Sequence, residues 1–253
     1  MRRWPALAAG ALAVALAAVL GAGAAVADPA ARAADPPECT GLQTCVPVKG
    51  PWVLLPAPAT GAGKAAELEW ELACPTQRYV IGGSAARATA PTVDVVMEGK
   101  PGSPVGAGTT TGNSMVFRGA YGGADPVPAA FRPAIGCVPT SGGGGGRSRV
   151  RYEVDYPPAT QLVRHREEQQ LRAGQTMQVV ASCAGGGRLL HASAAIGFAT
   201  GDTPPTATAM RAVALQQRIQ GASIVVTARA TQALLPTVKA LLQVRTVCTE
   251  GFQ

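Results

Sequence analysis

The side chains best suited to chemistry in this 253-residue chain are six cysteines, Cys39, Cys45, Cys74, Cys137, Cys183 and Cys248, and their spacing points to disulfides. Cys74 and Cys137 are 63 residues apart, Cys183 and Cys248 are 65 apart, and no C-x-x-C occurs. Ser84-Ala85-Ala86 recurs as Ser193-Ala194-Ala195 at the offset of 109 that also relates Cys74 to Cys183. A unit written twice selects the pairs Cys74–Cys137 and Cys183–Cys248 and leaves Cys39–Cys45 as a local third. Loop closure would then contribute about 4 kcal/mol for each long bridge and a little over 2 for the short one.

Other reactive residues are sparse. A Ser–His–acid hydrolase could draw on His191, Ser193 and Asp202, but no G-x-S-x-G elbow surrounds either serine. Two positions apart on a strand, His191 and Ser193 would point in parallel, with no orienting acid evident in the sequence. The plainer reading of both histidines, His165 and His191, is a half-buried or surface role. No H-x-x-x-H, D-x-D-x-D or Cys/His cluster suggests a metal, and Asp94 with Glu98 reads as a solvated pair. The glycine runs at 142–146 and 185–187 lack the Lys-Ser/Thr of a phosphate loop, so they read as linker and turn. No cofactor is expected.

Two features could carry recognition. Trp52, in Gly50-Pro51-Trp52-Val53, is the one candidate for an exposed aromatic platform, whereas Trp70 alternates with Leu68 and Leu72 and reads as core. Arg149 and Arg151 would share a strand face in a basic stretch continued by Arg164, Arg166 and Arg172, a surface for an anionic ligand or a charge-protected edge.

The chain start bears on compartment. Arg2 and Arg3, an Ala/Leu/Val-rich run over 6–20 and Ala25-Val26-Ala27 together read as a cleaved export signal, 1–27. A retained membrane anchor is the alternative. Export makes disulfides expected. The formal net charge of +7 falls to +5 once the two leader arginines go, which suits weak attraction to an anionic cell-wall or surface polymer. Nucleic acid is not implied, nor is a membrane after cleavage.

The elements that must position these residues are short, because Gly and Pro recur throughout. Glu67-Leu68-Glu69-Trp70-Glu71-Leu72 alternates strictly and predicts a half-buried strand with its glutamates in water. Thr176 to Ala181 is its counterpart at offset 109 and also runs into a cysteine. Further strands are expected at 78–81, 92–97, 115–121, 131–138, 188–191, 206–215, 223–230 and 239–248, with a hairpin at Gly112-Asn113. Segment 160–172 fits a short helix or a strand, and the turn-like Arg172-Ala173-Gly174 favours strand.

The fold class is therefore all-β: two tandem disulfide-closed sandwich-like repeats, 28–141 with the N-terminal Cys loop and 148–253, joined by a Gly-rich linker over 142–147. Packing as one pseudo-symmetric body is the alternative. An immunoglobulin domain is disfavoured, because a core tryptophan after the first cysteine is missing and Ile135 and Thr246 stand where its corner tyrosine would be.

Cys74-Pro75-x-x-x-x-Val80-x-Gly82-Gly83-Ser84-Ala85 resembles the C-P-x-G-x-x-V-x-G-G-x-A repeat of uncharacterised secreted proteins from high-GC bacteria. The second copy departs from it, with Cys183-Ala184-Gly185 and with His191-Ala192 in place of the double glycine. The resemblance implies secretion and modular β structure, and no activity. The expectation is a secreted, non-enzymatic binding or structural module of the envelope or extracellular space; a secreted hydrolase with an unrecognised site is the rival.

Overall fold

A computed structural model describes residues 36–57, 67–98, 113–122, 127–140 and 162–249. All belong to one compact unit, Asp35–Gln253. The leader 1–27, the linker 142–147, Arg149, Arg151 and most of the Gly112-Asn113 hairpin lie outside the described residues.

The protein is all-β and carries the three expected disulfides, Cys39–Cys45, Cys74–Cys137 and Cys183–Cys248. Three bridges suit an oxidising environment. No helix among the described residues is long and apolar enough to cross a membrane.

In the first half, β1 (Val46–Lys49) and β2 (Trp52–Leu55) follow the Cys39–Cys45 loop, then β3 (Glu67–Ala73), β4 (Tyr79–Ala88), β5 (Val93–Glu98), β6 (Ser114–Tyr121) and β7 (Ala129–Pro139). In the second come β8 (Leu162–Leu171), β9 (Thr176–Ser182), β10 (Leu189–Phe198), the short helix α1 (Ala207–Arg211), β11 (Val213–Gln220), β12 (Ser223–Ala230) and β13 (Ala240–Thr249). Segment 160–172 is thus a strand over its described part, Leu162–Leu171. Thr206 to Leu215, expected as one strand, instead begins with a helical turn. Pro204 and Pro205 stiffen its approach, and the Thr206 hydroxyl caps it by accepting from the Ala209 N–H at 3.2 Å.

The halves have the same layout. β3-β6-β5 and β9-β12-β11 form two three-stranded sheets, while β4–β7 and β10–β13 are antiparallel pairs in a larger one. β8 lies along β13 for ten residues, as β1 and β2 lie along β7 with a break at Gly50-Pro51. The halves are joined through β2, which pairs with β7 on one edge and with β10 on the other. One seven-stranded sheet therefore runs through both, and the packing is that of one body.

Alternation along the central strands then separates two cores. Trp52 and Leu54 of β2, with Ala194, Ile196 and Phe198 of β10, pack against the second half's small sheet; Val53, Leu55 and Ala195 point the other way, into the first half's core. The small sheets therefore cover opposite faces of the large one. Each fully buried aromatic or aliphatic side chain here contributes about 1.5–3 kcal/mol.

The repeated Ser-Ala-Ala does not superpose in the fold. Ile81 faces Cys137 and Leu189 faces Cys248; each is followed by a register irregularity, after which Gly83 pairs with Gly136 and His191 with Val247. Ser84 therefore corresponds to Ala192 and Ser193 to Ala85. Ser84 looks into its own sandwich, where its Oγ lies 3.1 Å from Met97 Sδ, while Ser193 looks away from its own. A one-residue slip on a strand exchanges faces.

Candidate functional site

The face of the large sheet that bears Gly83 and Gly136 supports the Cys39–Cys45 loop. Glu38 lies in the 3-10 turn Pro37–Cys39, and its carbonyl oxygen presses onto the sheet so closely that a β-carbon at Gly83 or Gly136 would come within 2.3 or 2.2 Å of it. The cross-strand glycine pair is the floor that lets the loop seat. Seating the loop fixes Glu38.

Beside it opens a hollow of about 220 Å³, floored by Ala85 and Ala134 and lined by Glu38, Lys49, Arg87, Arg132 and Asp202. Lys49 ends β1, Arg87 is on β4 and Arg132 on β7, whereas Asp202 comes from the turn after β10. Both halves build the site. Trp52 holds the far wall: its indole N–H donates to the Gly201 carbonyl at 3.1 Å, and Gly201 turns the chain at φ +67°, leading directly into Asp202. Arg132 is oriented by an Nε–H bond to the Gly50 carbonyl at 3.0 Å and pairs through Nη1 with Asp202 Oδ1, which Lys49 also approaches at 3.5 Å. The Arg132 hydrogen bond and the nearby Lys49 charge hold the exposed Asp202 carboxyl below its ordinary range.

Charge in this hollow is only partly matched. Glu38 is 3% exposed, and its Oε1 is buried with no hydrogen-bond partner among the described residues. Arg87 is exposed and makes no ion pair among them. A buried carboxylate oxygen without a donor is costly, so a group that supplies one is favoured there.

A second polar cluster lies where the first small sheet meets β10, β13 and β8. The glutamates of β3 alternate with Leu68, Trp70 and Leu72 as expected, but Glu69 and Glu71 are buried rather than solvated. The cause is tertiary: the strand's free edge docks on the large sheet. Gln243 acts there like a further strand, its Oε1 accepting from the Glu71 N–H at 2.7 Å and its Nε2 donating to the Glu71 carbonyl at 3.1 Å. Arg245, 3% exposed, reaches Glu69 Oε2 at 2.7 Å through Nη1 and Glu71 Oε2 at 2.9 Å through Nε. Arg118 donates to Glu69 Oε1 at 2.8 and 3.1 Å, and His191 Nε2 lies 2.8 Å from Glu69 Oε2. Burial alone would raise the Glu69 pKa; His191, Arg245 and Arg118 together outweigh it and bring it down to about 2.

The sequence-derived site residues fare unevenly. Trp52 is 1% exposed and packs with the second half's core, so it anchors a turn and is no platform. Its burial follows from β2 being paired on both edges and covered on both faces. The acid that orients His191 is Glu69, 122 residues away in sequence, which no local spacing could disclose. Asp202 serves the hollow, and no hydrogen bond links Ser193 to His191 among the described residues. Arg164 and Arg166 of β8 turn toward Glu71: Arg166 Nη1 donates to the Glu71 carbonyl at 3.4 Å, while burial and the Arg245 charge lower the Arg164 pKa against the pull of Glu71. His165 pairs opposite Thr246 on the exposed strand β8. No group of three or more potential metal ligands occurs among the described residues.

The hollow itself was not foreseen. Its only signal in the sequence was the double glycine, read as a motif without a purpose.

No family model, no curated protein and no solved structure matches this chain.

Proposed function

We propose that the chain is exported, loses residues 1–27, and acts as a non-enzymatic binding module of the cell envelope or extracellular space, with the Glu38–Asp202 hollow as its ligand site. The observation that carries this reading is the convergence of five ionisable side chains from both halves on an alanine-floored hollow, with one buried carboxylate oxygen left without a partner among the described residues. The Ala25-Val26-Ala27 segment and the three disulfides support export. The shared strand order supports descent of the two halves from one duplicated unit. Three cations against two acids around the hollow favour an anionic group in its ligand, as a wall or surface polymer would offer.

The test is direct. Protein recovered from culture medium should begin at Asp28 and bind isolated cell-wall material, binding should weaken with added salt, and Lys49→Gln with Arg87→Gln should weaken it further. A retained leader, or wall binding indifferent to both salt and these substitutions, would overturn the reading. The rival, a secreted hydrolase, draws on the Glu69–His191 pair, yet it would need Ser193 bonded to that imidazole.

A further inference from the structure

We infer that the ligand of this hollow is a small zwitterion, an α-amino acid or the end of a short peptide, with its ammonium group received by Glu38 and its carboxylate by Arg87. The inference rests on the hollow being the ligand site. Lys49 and Arg132 both contact the same Asp202 carboxylate oxygen, a trio of net charge +1. Outside that trio stand one acid and one further cation. Among the described residues Glu38 offers a buried acceptor oxygen without a donor, and Arg87 a guanidinium without an acid. A ligand carrying only an anion would leave the buried Glu38 oxygen without a donor, and one carrying only a cation would gain nothing from Arg87.

The floor sets the size. Ala85 and Ala134 are cross-strand partners with short side chains, and about 220 Å³ falls below the volumes that admit drug-sized ligands. A few heavy atoms fit.

The second half supplies an independent argument. Through the pairing registers, Gly83, Ala85 and Arg87 on β4 correspond to His191, Ser193 and Ala195 on β10, and Arg132, Ala134 and Gly136 on β7 correspond to Gln243, Arg245 and Val247 on β13. On that equivalent wall the groups bound are carboxylates, Glu69 and Glu71, with a main-chain N–H and carbonyl beside them. The same scaffold already holds a carboxylate next to a peptide group. In the first half no strand among the described residues fills the place.

Calorimetry on the full exported protein, with glycine, alanine and alanyl-alanine set against N-acetylalanine and alaninamide, tests this. The free zwitterions should bind, and blocking either terminus should weaken binding about tenfold or more. Glu38→Gln should erase the preference for a free amine, and Arg87→Gln the preference for a free carboxylate. Arg87 is exposed, so that variant keeps the test intact if Glu38→Gln fails to fold. If N-acetylalanine or alaninamide binds as well as alanine and Arg87→Gln abolishes it, the hollow is a site but the zwitterion is wrong. Absence of binding by every probe also overturns the zwitterion, and if wall binding is in addition indifferent to Arg87→Gln, the proposed function falls with it.

Discussion

The two halves present the same wall of the large sheet to opposite fates. Around His191, Gln243 and Arg245 the wall is closed by β3, whose edge and two glutamates are bonded to it. Around Gly83, Arg132 and Ala134 the equivalent wall carries, among the described residues, the Cys39–Cys45 loop and the Asp202 turn, with a hollow left between them. A few positions account for the difference. Glycine at 83 and 136 lets the loop's main chain sit flat, where His191 and Val247 in the second half reach outward. The comparison teaches that one scaffold can spend a polar face on cohesion in one half and leave the equivalent face as an open hollow in the other.

The closed wall is where substitution should cost most. Arg245→Ala leaves Glu69 and Glu71 buried beside a missing cation and should destabilise the protein by about 3–5 kcal/mol, read from urea denaturation. Arg87→Gln on the open wall should leave the same curve nearly unmoved. Equal costs for the two would erase the contrast between a filled and an unfilled face.

Acid should loosen the closed wall next. The Glu69 carboxyl is held down to about 2 in the folded chain, against 4.5 for an ordinary glutamate, so the folded state binds fewer protons between those values. The associated stability is present above pH 4.5 and lost as pH falls toward 2. Its upper bound is about 3 kcal/mol. Glu69→Gln should flatten that limb in a series of denaturation curves across this window. An unchanged limb in the variant would assign the acid sensitivity to other carboxylates.

What the sequence disclosed, and what it hid, divides along contact range. The strand of Glu67 to Leu72 follows from period-two alternation, and the disulfides follow from spacing, both short-range or pairwise signals. The fate of its glutamates does not, because Arg245 and Gln243 lie more than 170 residues away. Trp52 misled for a related reason: flanked by Gly50 and Pro51 it looks like a loop residue, and only the pairing of β2 with both halves buries it. The Ser-Ala-Ala repeat marked the right strands but the wrong faces, since the separation between cysteines differs by two residues and the path from Cys183 to His191 is one residue shorter than that from Cys74 to the equivalent Gly83. The hollow was least legible of all, because its five charged residues come from β1, β4, β7, the Cys loop and a turn of the other half.

Arginine labelling of the native protein with phenylglyoxal, mapped by mass spectrometry, tests the central contrast most directly. Arg87 should be modified readily and protected by bound ligand, while Arg245, at 3% exposure, should react only on unfolding. Modification of Arg245 at the rate of Arg87 in the folded chain would contradict a closed wall in one half and an open one in the other.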